Sequence, residues 1–289
     1  MNTITINKDK CVQCGLCVSD CVSKCIGMNQ DNQPYMINEK SCLKCQHCMM
    51  ICPTGALSFN DKNPENSEAV SSGDILSIIK SRRSIRQFKD EELTEEELKK
   101  IKEMLPYIPT GCNSHKLHFS FVENKNVMKM LKEKVNKKFI TLLNNKILSP
   151  IASHFKVYKE SFEKGEDIIF RGAPNMVVVS SPITAPCAPQ DSVIALSYIE
   201  LYANSLGFGT CWCGYAQICM KLFPEFSAIL DIPEGYSPIY VMLLGKPAVK
   251  YQRNPQPEPY SISEIKEFDT KNQSICSKIK RIITNFARF

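Results

Sequence analysis

The sequence lacks any apolar run long enough to cross a membrane. A membrane-spanning helix needs about 20 consecutive apolar residues, and no stretch of the 289 residues reaches that length. The first eight residues also contain no apolar core of a secretory signal. These absences predict a cytoplasmic protein without a membrane span.

Two nucleotide-binding patterns are missing as well. No Gly-x-Gly-x-x-Gly follows a predicted strand and no Walker A sequence occurs, so a Rossmann nicotinamide domain is not expected. The net charge of +6 is modest for this length and gives no reason to expect nucleic acid as a partner. With 43% hydrophobic and 23% charged residues, the composition is that of a folded globular protein.

Cysteine, in contrast, is abundant. The chain has 15 cysteines, and nine of them lie within the first 52 residues. The count is odd and no export signal precedes it, which argues against a disulfide scaffold. In a reducing cytosol, dense cysteines more often bind metal as thiolates, and their spacing then distinguishes between metals.

The N-terminal cysteines form two runs with the same spacing, C-x2-C-x2-C-x3-C. The first run is Cys11, Cys14, Cys17 and Cys21, and the second, 31 residues further on, is Cys42, Cys45, Cys48 and Cys52. Flanking residues repeat at the same offset, as in Ile26-Gly27-Met28 and Leu57-Ser58-Phe59. Such self-similarity indicates an internal duplication.

This spacing favours two iron–sulfur clusters over zinc. Structural zinc sites use two cysteine pairs separated by a longer loop. Three cysteines at two-residue gaps suit a cubane, and the fourth cysteine of each run ligates the other cluster. The predicted ligands are Cys11, Cys14, Cys17 and Cys52 for one [4Fe–4S] cluster, and Cys42, Cys45, Cys48 and Cys21 for the other. Zinc and free thiols remain as alternatives.

Residues 1–60 resemble the bacterial two-cluster ferredoxin family. Pro53 follows Cys52 as the family pattern expects, but Val22 stands in the equivalent place after Cys21. Cys25 is an additional thiol. It either replaces Cys21 as a ligand or is a spare buried thiol, and the second interpretation is preferred.

The rest of the chain predicts a linker and a second domain. Residues 61–73 are polar and contain Pro, Gly and Ser, which is typical of a linker. Residues 74–255 mix helical and strand patterns without regular alternation, so the expected class is α+β. The predicted helices are 74–81, a capping-box helix from Thr94 to about Met104, 127–143, and a long helix capped by Asp191 and ending at Gly207; the predicted strands are 117–122, 176–180 and 239–244.

Four segments of this domain carry groups suited to a cofactor. Residues 82–88 read R-R-S-I-R-Q-F, and guanidinium groups bind phosphate oxygens in pairs. Residues 109–119 are turn-rich and include Asn113, which offers a donor and an acceptor to a heterocycle. Residues 207–215 are glycine-rich, and residues 250–255 supply further cations. Taken alone, the arginines are better explained by a solvated basic turn and Asn113 by a residue that satisfies its own turn, and a metal or disulfide at Cys211-x-Cys213 is a minor alternative.

Together these segments resemble the FMN-dependent nitroreductase family over residues 74–255. The match comprises R-R-S-I-R-Q-F, Gly172-Ala173-Pro174 before a strand, Asp191 and Ala195 in a long helix, L-G-F-G-T-C-W-C-G, and a closing Lys/Arg segment. The resemblance implies an α+β fold with a central antiparallel sheet. It also implies an intertwined homodimer with FMN at its interface.

The resemblance further implies which residues bind FMN. Arg82, Arg83, Ser84 and Arg86 would hold the phosphate and ribityl chain, with Arg253 and Lys250; Asn113 would meet the ring edge, and the backbone around Trp212, Cys213 and Gly214 would line it near N5. The family often has N-x-Q-P-W where this chain has N-S-H-K-L at residues 113–117. His115 is therefore a candidate flavin contact and a candidate catalytic proton donor.

The fusion of the two domains suggests an electron path. Clusters pass single electrons, whereas a flavin accepts one or two. A one-electron protein donor of the ferredoxin or flavodoxin type would feed the clusters, and FMN would reduce a small-molecule electron acceptor such as a nitro compound, quinone or activated alkene. The alternatives are an electron-transfer module that serves a protein partner, and an NAD(P)H-dependent nitroreductase.

The C-terminal extension, residues 256–289, is basic towards its end. Residues 270–289 contain no acidic residue, and their isoleucines recur at helical spacing. A helix that packs on the dimer is preferred here over a helix that binds an acidic partner or an anionic membrane surface.

Overall fold

The cysteine-rich part of the chain folds as two copies of one small unit. In the computed structural model, which describes residues 4–21, 23–59, 72–251 and 259–265, it contains β1 (Ile4–Ile6), α1 (Leu16–Ser19), β2 (Ile26–Met28), β3 (Pro34–Met36), α2 (His47–Met50) and β4 (Leu57–Phe59). Helix α2 starts 31 residues after α1, and β4 starts 31 residues after β2. The internal duplication predicted from the sequence is therefore confirmed at the level of the fold.

The two copies exchange strands, which joins them into one body. β1 of the first copy pairs antiparallel with β4 of the second, and β2 pairs antiparallel with β3. A small core lies between them and includes Ile4, Ile26, Met49 and Leu57. Because each copy alone buries little apolar surface, the pair is the unit that folds.

The second domain is built around a four-stranded antiparallel sheet. Its elements are α3 (Ser72–Ser81), α4 (Glu95–Glu103), β5 (His118–Val122), α5 (Lys125–Asn144), α6 (Lys159–Glu163), β6 (Asn175–Pro182), α7 (Ala188–Ser205), β7 (Gly209–Trp212), α8 (Gly214–Leu222), α9 (Phe226–Ile229) and β8 (Tyr236–Gly245). The strand order is β5-β6-β8-β7, and every neighbouring pair is antiparallel. The predicted α+β class is confirmed.

The central strand β6 is buried on both faces, which explains its uninterrupted apolar sequence. Met176 and Val178 face one core together with residues of α5 and α8. Val177 and Val179 face a second core with residues of α4 and α7. Alternate side chains of a strand point to opposite faces, so helices cover both sides of the sheet.

The long helix α7 differs from its prediction at its start. Asp191 does not cap it, because the helix begins at Ala188 with Cys187 as the N-cap, and Asp191 lies in the first turn. Pro189 near the start suits a first turn, where backbone N–H groups have no helical partner. The predicted end is confirmed, since Gly207 adopts a left-handed φ of 83° directly after the helix.

Some boundaries were not predicted, and others cannot be compared with the structure. The sequence analysis gives residues 207–215 as one glycine-rich segment and does not divide it into β7 and the start of α8. The predicted linker, residues 61–73, is described only from Ser72, where α3 begins. Residues Met1–Arg253 form one unit and Asn254–Phe289 a second; the predicted basic helix at 270–289 lies outside the described residues. Within the described ranges, no helix combines the length and apolarity that a bilayer crossing requires.

The capping box predicted for α4 is present and yields a stability prediction. The Thr94 hydroxyl accepts a bond from the Glu97 N–H at 3.2 Å, and the Glu97 carboxylate accepts one from the Thr94 N–H at 2.8 Å. Lys246 lies 3.3 Å from the same carboxylate. Removing the cap in Thr94→Ala is expected to lower the free energy of unfolding by about 1 kcal/mol, measured by urea denaturation of the full chain.

The charge of Glu97 adds a pH dependence to that stability. Burial alone would raise the pKa of Glu97, but the hydrogen bond from the Thr94 backbone and the Lys246 cation outweigh it and lower the pKa. Because the pKa of Glu97 is lower in the folded state than in the unfolded state, its charge stabilises the folded state at pH values above the unfolded-state pKa. This contribution is lost as the pH falls through the folded-state pKa. Glu97→Gln keeps the capping box, but its free energy of unfolding should be lower than that of the wild type at neutral pH and should fall less steeply as the pH is lowered. An unchanged slope at acid pH would contradict the role assigned to the Glu97 charge.

Candidate cluster and flavin sites

The first group of cysteines lines a single pocket in the N-terminal domain. Cys11, Cys14, Cys17 and Cys52 surround it, together with Val12 and Leu57. Three of these cysteines come from one run and the fourth comes from the other. The fold thus brings together the four residues that the spacing predicts as ligands of one cluster.

The second group lines a separate pocket with the reciprocal composition. Cys42, Cys45 and Cys48 of the second run meet Cys21 of the first, and Cys25 lines the same pocket. Among the described residues, no three candidate side chains converge closely enough to hold a single metal ion. In a cubane each thiolate binds a different iron, so its ligands need not converge on one point.

The backbone of both cysteine loops is curled in the same way. Gln13 and Lys44 have φ values of 55° and 54°, and Gly15 and Gln46 have values of 72° and 61°. Left-handed residues alternating with right-handed ones turn successive N–H groups towards one side and form an anion-binding concavity. A thiolate-bound iron–sulfur cluster is anionic, so these loops fit it.

Backbone N–H groups also reach the fourth cysteine of each run. The Cys25 N–H donates to the Cys21 sulfur at 3.2 Å, and the Ala56 N–H donates to the Cys52 sulfur at 3.3 Å. Cys25 and Ala56 occupy equivalent places in the two copies, and both are buried. Cys25 therefore stands where the other copy has a small apolar residue, which supports its interpretation as a spare thiol.

Burial and hydrogen bonding shift the pKa values of these cysteines in opposite directions. Burial raises the pKa of Cys17, and it raises the pKa of Cys48 to about 11. At Cys52, burial is outweighed by hydrogen bonds from Thr54 and from backbone N–H groups, which lower the pKa. Iron coordination deprotonates a thiol outright, so the buried thiols release protons when metal binds.

In the second domain, the arginine-rich segment is fixed beside β7. The Ile85 N–H donates to the Thr210 carbonyl at 2.8 Å, and Ser84 forms a bridge with Thr210. β7 continues directly into Trp212, Cys213 and Gly214 at the start of α8. The first and third sequence segments are thereby adjacent in space.

The chain after β8 returns to the same place. The Lys89 N–H donates to the Lys246 carbonyl, and the Ala248 N–H donates to the Gln87 carbonyl, both at 2.9 Å. Lys250 follows two residues later and is exposed. Arg253 lies outside the described residues. Lys246 and Ala248 thus hold the chain beside the arginine-rich segment just before Lys250, and the role of Lys250 and Arg253 at an anion site stays a prediction.

Arg82 and Arg83 differ in their ion-pair and hydrogen-bond partners. Arg82 forms an ion pair with Glu200 of α7 at 3.1 Å, and the Glu200 side chain is only 9% exposed. Arg83 donates to the Arg82 carbonyl. Its second terminal nitrogen, Nη2, is buried and has no hydrogen-bond partner among the described residues. A buried guanidinium donor without a partner is costly, and an oxygen-rich anion such as a phosphate would satisfy it.

A further arginine, which the sequence analysis did not identify, faces the same region. Arg171 and Arg86 line an open pocket with Trp212, Gly214 and Tyr215. Arg171 has a left-handed φ of 55° and immediately precedes Gly172-Ala173-Pro174. Only proximity in the fold reveals it, because a single arginine in a turn has no sequence signature.

The pair Cys211-x-Cys213 is explained by packing. Both side chains are buried free thiols. The Cys213 sulfur accepts a bond from the Ala216 N–H at 3.4 Å and donates to the Ile169 carbonyl at 3.2 Å, so it caps α8. Burial raises the pKa of Cys211 and raises that of Cys213 to about 11. The disulfide alternative is wrong for this structure.

The turn-rich second segment is attached to the start of α7. The Gly111 N–H donates to the Asp191 carboxylate at 2.8 Å. The Asn113 Nδ2 donates to the Leu43 carbonyl at 2.9 Å, and its Oδ1 lies 2.9 Å from His115 Nε2. The neighbouring Ser114 hydroxyl is buried without a partner among the described residues. The role of Asn113 at a flavin and the catalytic role of His115, which is exposed, stay predictions.

Gly209 marks the point where the arginine-rich segment touches β7 most closely. A Cβ placed there would lie 2.7 Å from the Ile85 side chain. Gly209→Ala is therefore expected to displace residues 82–86 and to lower the bound flavin per chain by more than half, measured by absorbance after desalting. The double variant Gly209→Ala/Ile85→Gly removes every Ile85 side-chain atom that the new Cβ would meet and should restore most of the flavin; no restoration would argue against this contact.

Two family models match the chain. The model described as "Nitroreductase family" matches residues 79–246, and the model described as "4Fe-4S dicluster domain" matches residues 5–56. Among curated proteins, a protein of Methanothermobacter thermautotrophicus is 28% identical over 183 residues, which are 62% of this chain and 80% of that protein. It bears the provisional name NADH dehydrogenase/NAD(P)H nitroreductase.

Solved structures resemble the second domain. A nitroreductase with bound FMN from Desulfitobacterium hafniense has a TM-score of 0.53 at 28% identity, covering 66% of this chain and 98% of the other. An FMN-dependent nitroreductase from Clostridium difficile has a TM-score of 0.52 at 23% identity, covering 67% and 100%. The second of these likenesses bears on the fold alone.

Proposed function

Because the chain belongs to the nitroreductase family and also carries a 4Fe-4S dicluster domain, we propose that it is an FMN-dependent oxidoreductase fed by single electrons. Two [4Fe–4S] clusters would occupy the two cysteine pockets, and FMN would occupy the cradle formed by the arginine-rich segment and β7. The observation that carries this proposal is the presence of two separate pockets, each lined by four of the predicted cysteine ligands, on the same chain as that cradle.

The residues of the cradle fit FMN. The unpartnered Nη2 of Arg83 and the cations of Arg86 and Lys250 suit its phosphate. Gly209 allows the arginine-rich segment to lie against β7, and the backbone at Trp212, Cys213 and Gly214 faces the same region. The solved relative at 28% identity contains FMN. When bound, FMN supplies two-electron chemistry towards an electrophile and can be loaded one electron at a time.

Two molecules of a one-electron protein donor, of the ferredoxin or flavodoxin type, would each give one electron to clusters held by the two cysteine groups. FMN held by Arg83, Arg86 and the backbone around Cys213 would supply the chemistry that combines two electrons with two protons from water in the reduction of a small electrophile, such as a nitro compound, a quinone or an activated alkene. The clusters suit this donor because each cluster accepts and passes on one electron at a time. Thiolate-bound clusters fit a reducing cytoplasm.

A homodimer is part of the proposal. Ile75, Leu76 and Ile79 of α3 are each about half exposed, and Tyr198 on the neighbouring α7 is 46% exposed. An apolar surface of this kind on two adjacent helices is typical of a protein–protein contact. A second copy of the chain is the occupant that we propose for it.

The test is an anaerobic absorbance spectrum with iron, sulfide and flavin quantitation on the full chain. About eight irons and one FMN per chain are expected, with flavin bleaching by a reduced bacterial ferredoxin. Iron without flavin would overturn the flavoenzyme.

A second candidate donor is NAD(P)H, which appears in the name of the Methanothermobacter relative. Complete bleaching by NADH or NADPH alone, with none by reduced ferredoxin, would favour it. Flavin that bleaches but never reoxidises with nitro compounds, quinones or activated alkenes would favour an electron-transfer module instead.

A further inference from the structure

The second cysteine loop contacts the nitroreductase domain directly. Leu43, which follows Cys42, accepts a hydrogen bond through its carbonyl oxygen from the Asn113 side chain at 2.9 Å. Asn113 belongs to the turn-rich segment predicted to meet the flavin. Its other amide atom, Oδ1, lies 2.9 Å from His115 Nε2, which fixes the orientation of the amide.

The internal duplication provides a comparison for this contact. Val12, which follows Cys11, is the residue equivalent to Leu43, and each lines the pocket of its own cysteine group. Val12 is 61% exposed, whereas Leu43 is 37% exposed. Cys14 is exposed, whereas its equivalent Cys45 is partly buried. The two copies have the same fold but different surroundings.

The segment that carries Asn113 is held in an unusual conformation. Cys112, Asn113 and His115 have φ values of 53°, 52° and 46°, in a region that non-glycine residues seldom adopt. Such a conformation persists only where surrounding contacts enforce it. The bond from Gly111 to Asp191 anchors one side, and the Asn113 bond to Leu43 anchors the side that faces the cysteine domain.

We propose that Asn113 is a docking residue that holds the second cysteine pocket against the flavin segment. This inference rests on the proposed function. It assigns the cluster of Cys42, Cys45, Cys48 and Cys21 as the one from which each single electron leaves for the flavin. The cluster of Cys11, Cys14, Cys17 and Cys52, whose loop is more exposed, receives each electron from the protein donor.

The duplication also supplies a matched pair of variants, Leu43→Asp and Val12→Asp, in the reconstituted full chain. Amide hydrogen exchange of a peptide covering residues 108–117 gives a readout independent of turnover. Leu43 is 37% exposed, and a carboxylate at this position draws further water to the Asn113–Leu43 bond, which weakens it. We expect about fivefold faster exchange in Leu43→Asp and wild-type exchange in Val12→Asp.

The second readout is stopped-flow flavin bleaching by a reduced bacterial ferredoxin, taken as the limiting rate at saturating donor. We expect this rate to fall about tenfold in Leu43→Asp and to stay near wild type in Met50→Asp, whose side chain is 62% exposed on α2. If Leu43→Asp loses iron, Asn113→Asp replaces it, because a carboxylate has no N–H to donate to the Leu43 carbonyl, and faster exchange of residues 41–50 is then expected.

The outcomes separate the two proposals. Equal effects of Leu43→Asp and Val12→Asp on exchange, or of Leu43→Asp and Met50→Asp on the limiting rate, would overturn the docking assignment while leaving the proposed function intact. A wild-type chain whose flavin never bleaches with reduced ferredoxin would overturn the proposed function, and the exchange experiment would still decide whether Asn113 docks the loop.

Discussion

Cys45→Ala is expected to lower the iron content of the reconstituted chain from about eight to about four atoms, because removing one ligand empties one cubane site. Cys14→Ala should give the same loss from the other pocket. The two cysteines occupy equivalent positions in the two copies of the repeat, 31 residues apart. Iron and sulfide quantitation, with electron paramagnetic resonance of the reduced protein, measures both effects.

Cys25→Ala is the matched control for these variants. Ala56 stands at the equivalent position of the other copy, and it donates its N–H to Cys52 just as Cys25 donates to Cys21. The control is therefore expected to retain about eight irons, since the backbone donor survives the substitution. Loss of four irons in Cys25→Ala, with retention in Cys21→Ala, would reverse the two roles and make Cys25 the ligand.

Cys45→Ala and Cys14→Ala should also both interrupt electron delivery to the flavin, because the proposed path runs through both clusters. In Cys45→Ala the pocket nearest to Asn113 is lost, so reduced ferredoxin should no longer bleach the flavin. A direct chemical reductant such as dithionite should still bleach it in both variants. Retained bleaching by ferredoxin in Cys45→Ala would show that electrons reach the flavin by another route.

The N-terminal domain was the most predictable part from sequence. Its predicted cluster ligands depend on the spacing of cysteines along the chain. Because the spacing repeats, Cys21 and Cys52 were each expected to join the cysteines of the other run. The bounds of β6 and α7 were also close, because a buried strand and a long helix have strong periodicity. Asp191 was misassigned as a cap because an aspartate near a helix start has the same sequence signature whether it caps or accepts a bond from elsewhere.

The parts that were missed depend on contacts between distant residues. Nothing in the sequence pairs Arg82 with Glu200 or brings Arg171 beside Arg86, since each pairing joins elements far apart in the chain. Likewise, the sequence suggested a flavin contact for Asn113 but not its bond to Leu43. Side-chain pairings across domains are set by tertiary packing, which local periodicity does not encode.

Arg83→Ala is expected to cause the largest loss of flavin affinity among the variants of the cradle. Arg83 has a buried donor, Nη2, that finds no partner among the described residues. A charge-assisted hydrogen bond contributes about 1.5–3 kcal/mol, which corresponds to about a 10- to 150-fold increase in Kd. The measurement is flavin fluorescence titration of the deflavinated full chain.

Two further variants identify the cause of that loss. Arg83→Lys keeps the positive charge but replaces the planar fork with a point charge, so it should recover only part of the affinity. Lys89→Ala removes an exposed cation one residue beyond the arginine-rich segment, where the side chain lies 3.8 Å from Glu91, and it should bind flavin like the wild type. If Lys89→Ala weakened binding as much as Arg83→Ala, net charge along the segment would explain the effect. If only Arg83→Ala does, the buried donor itself holds the phosphate.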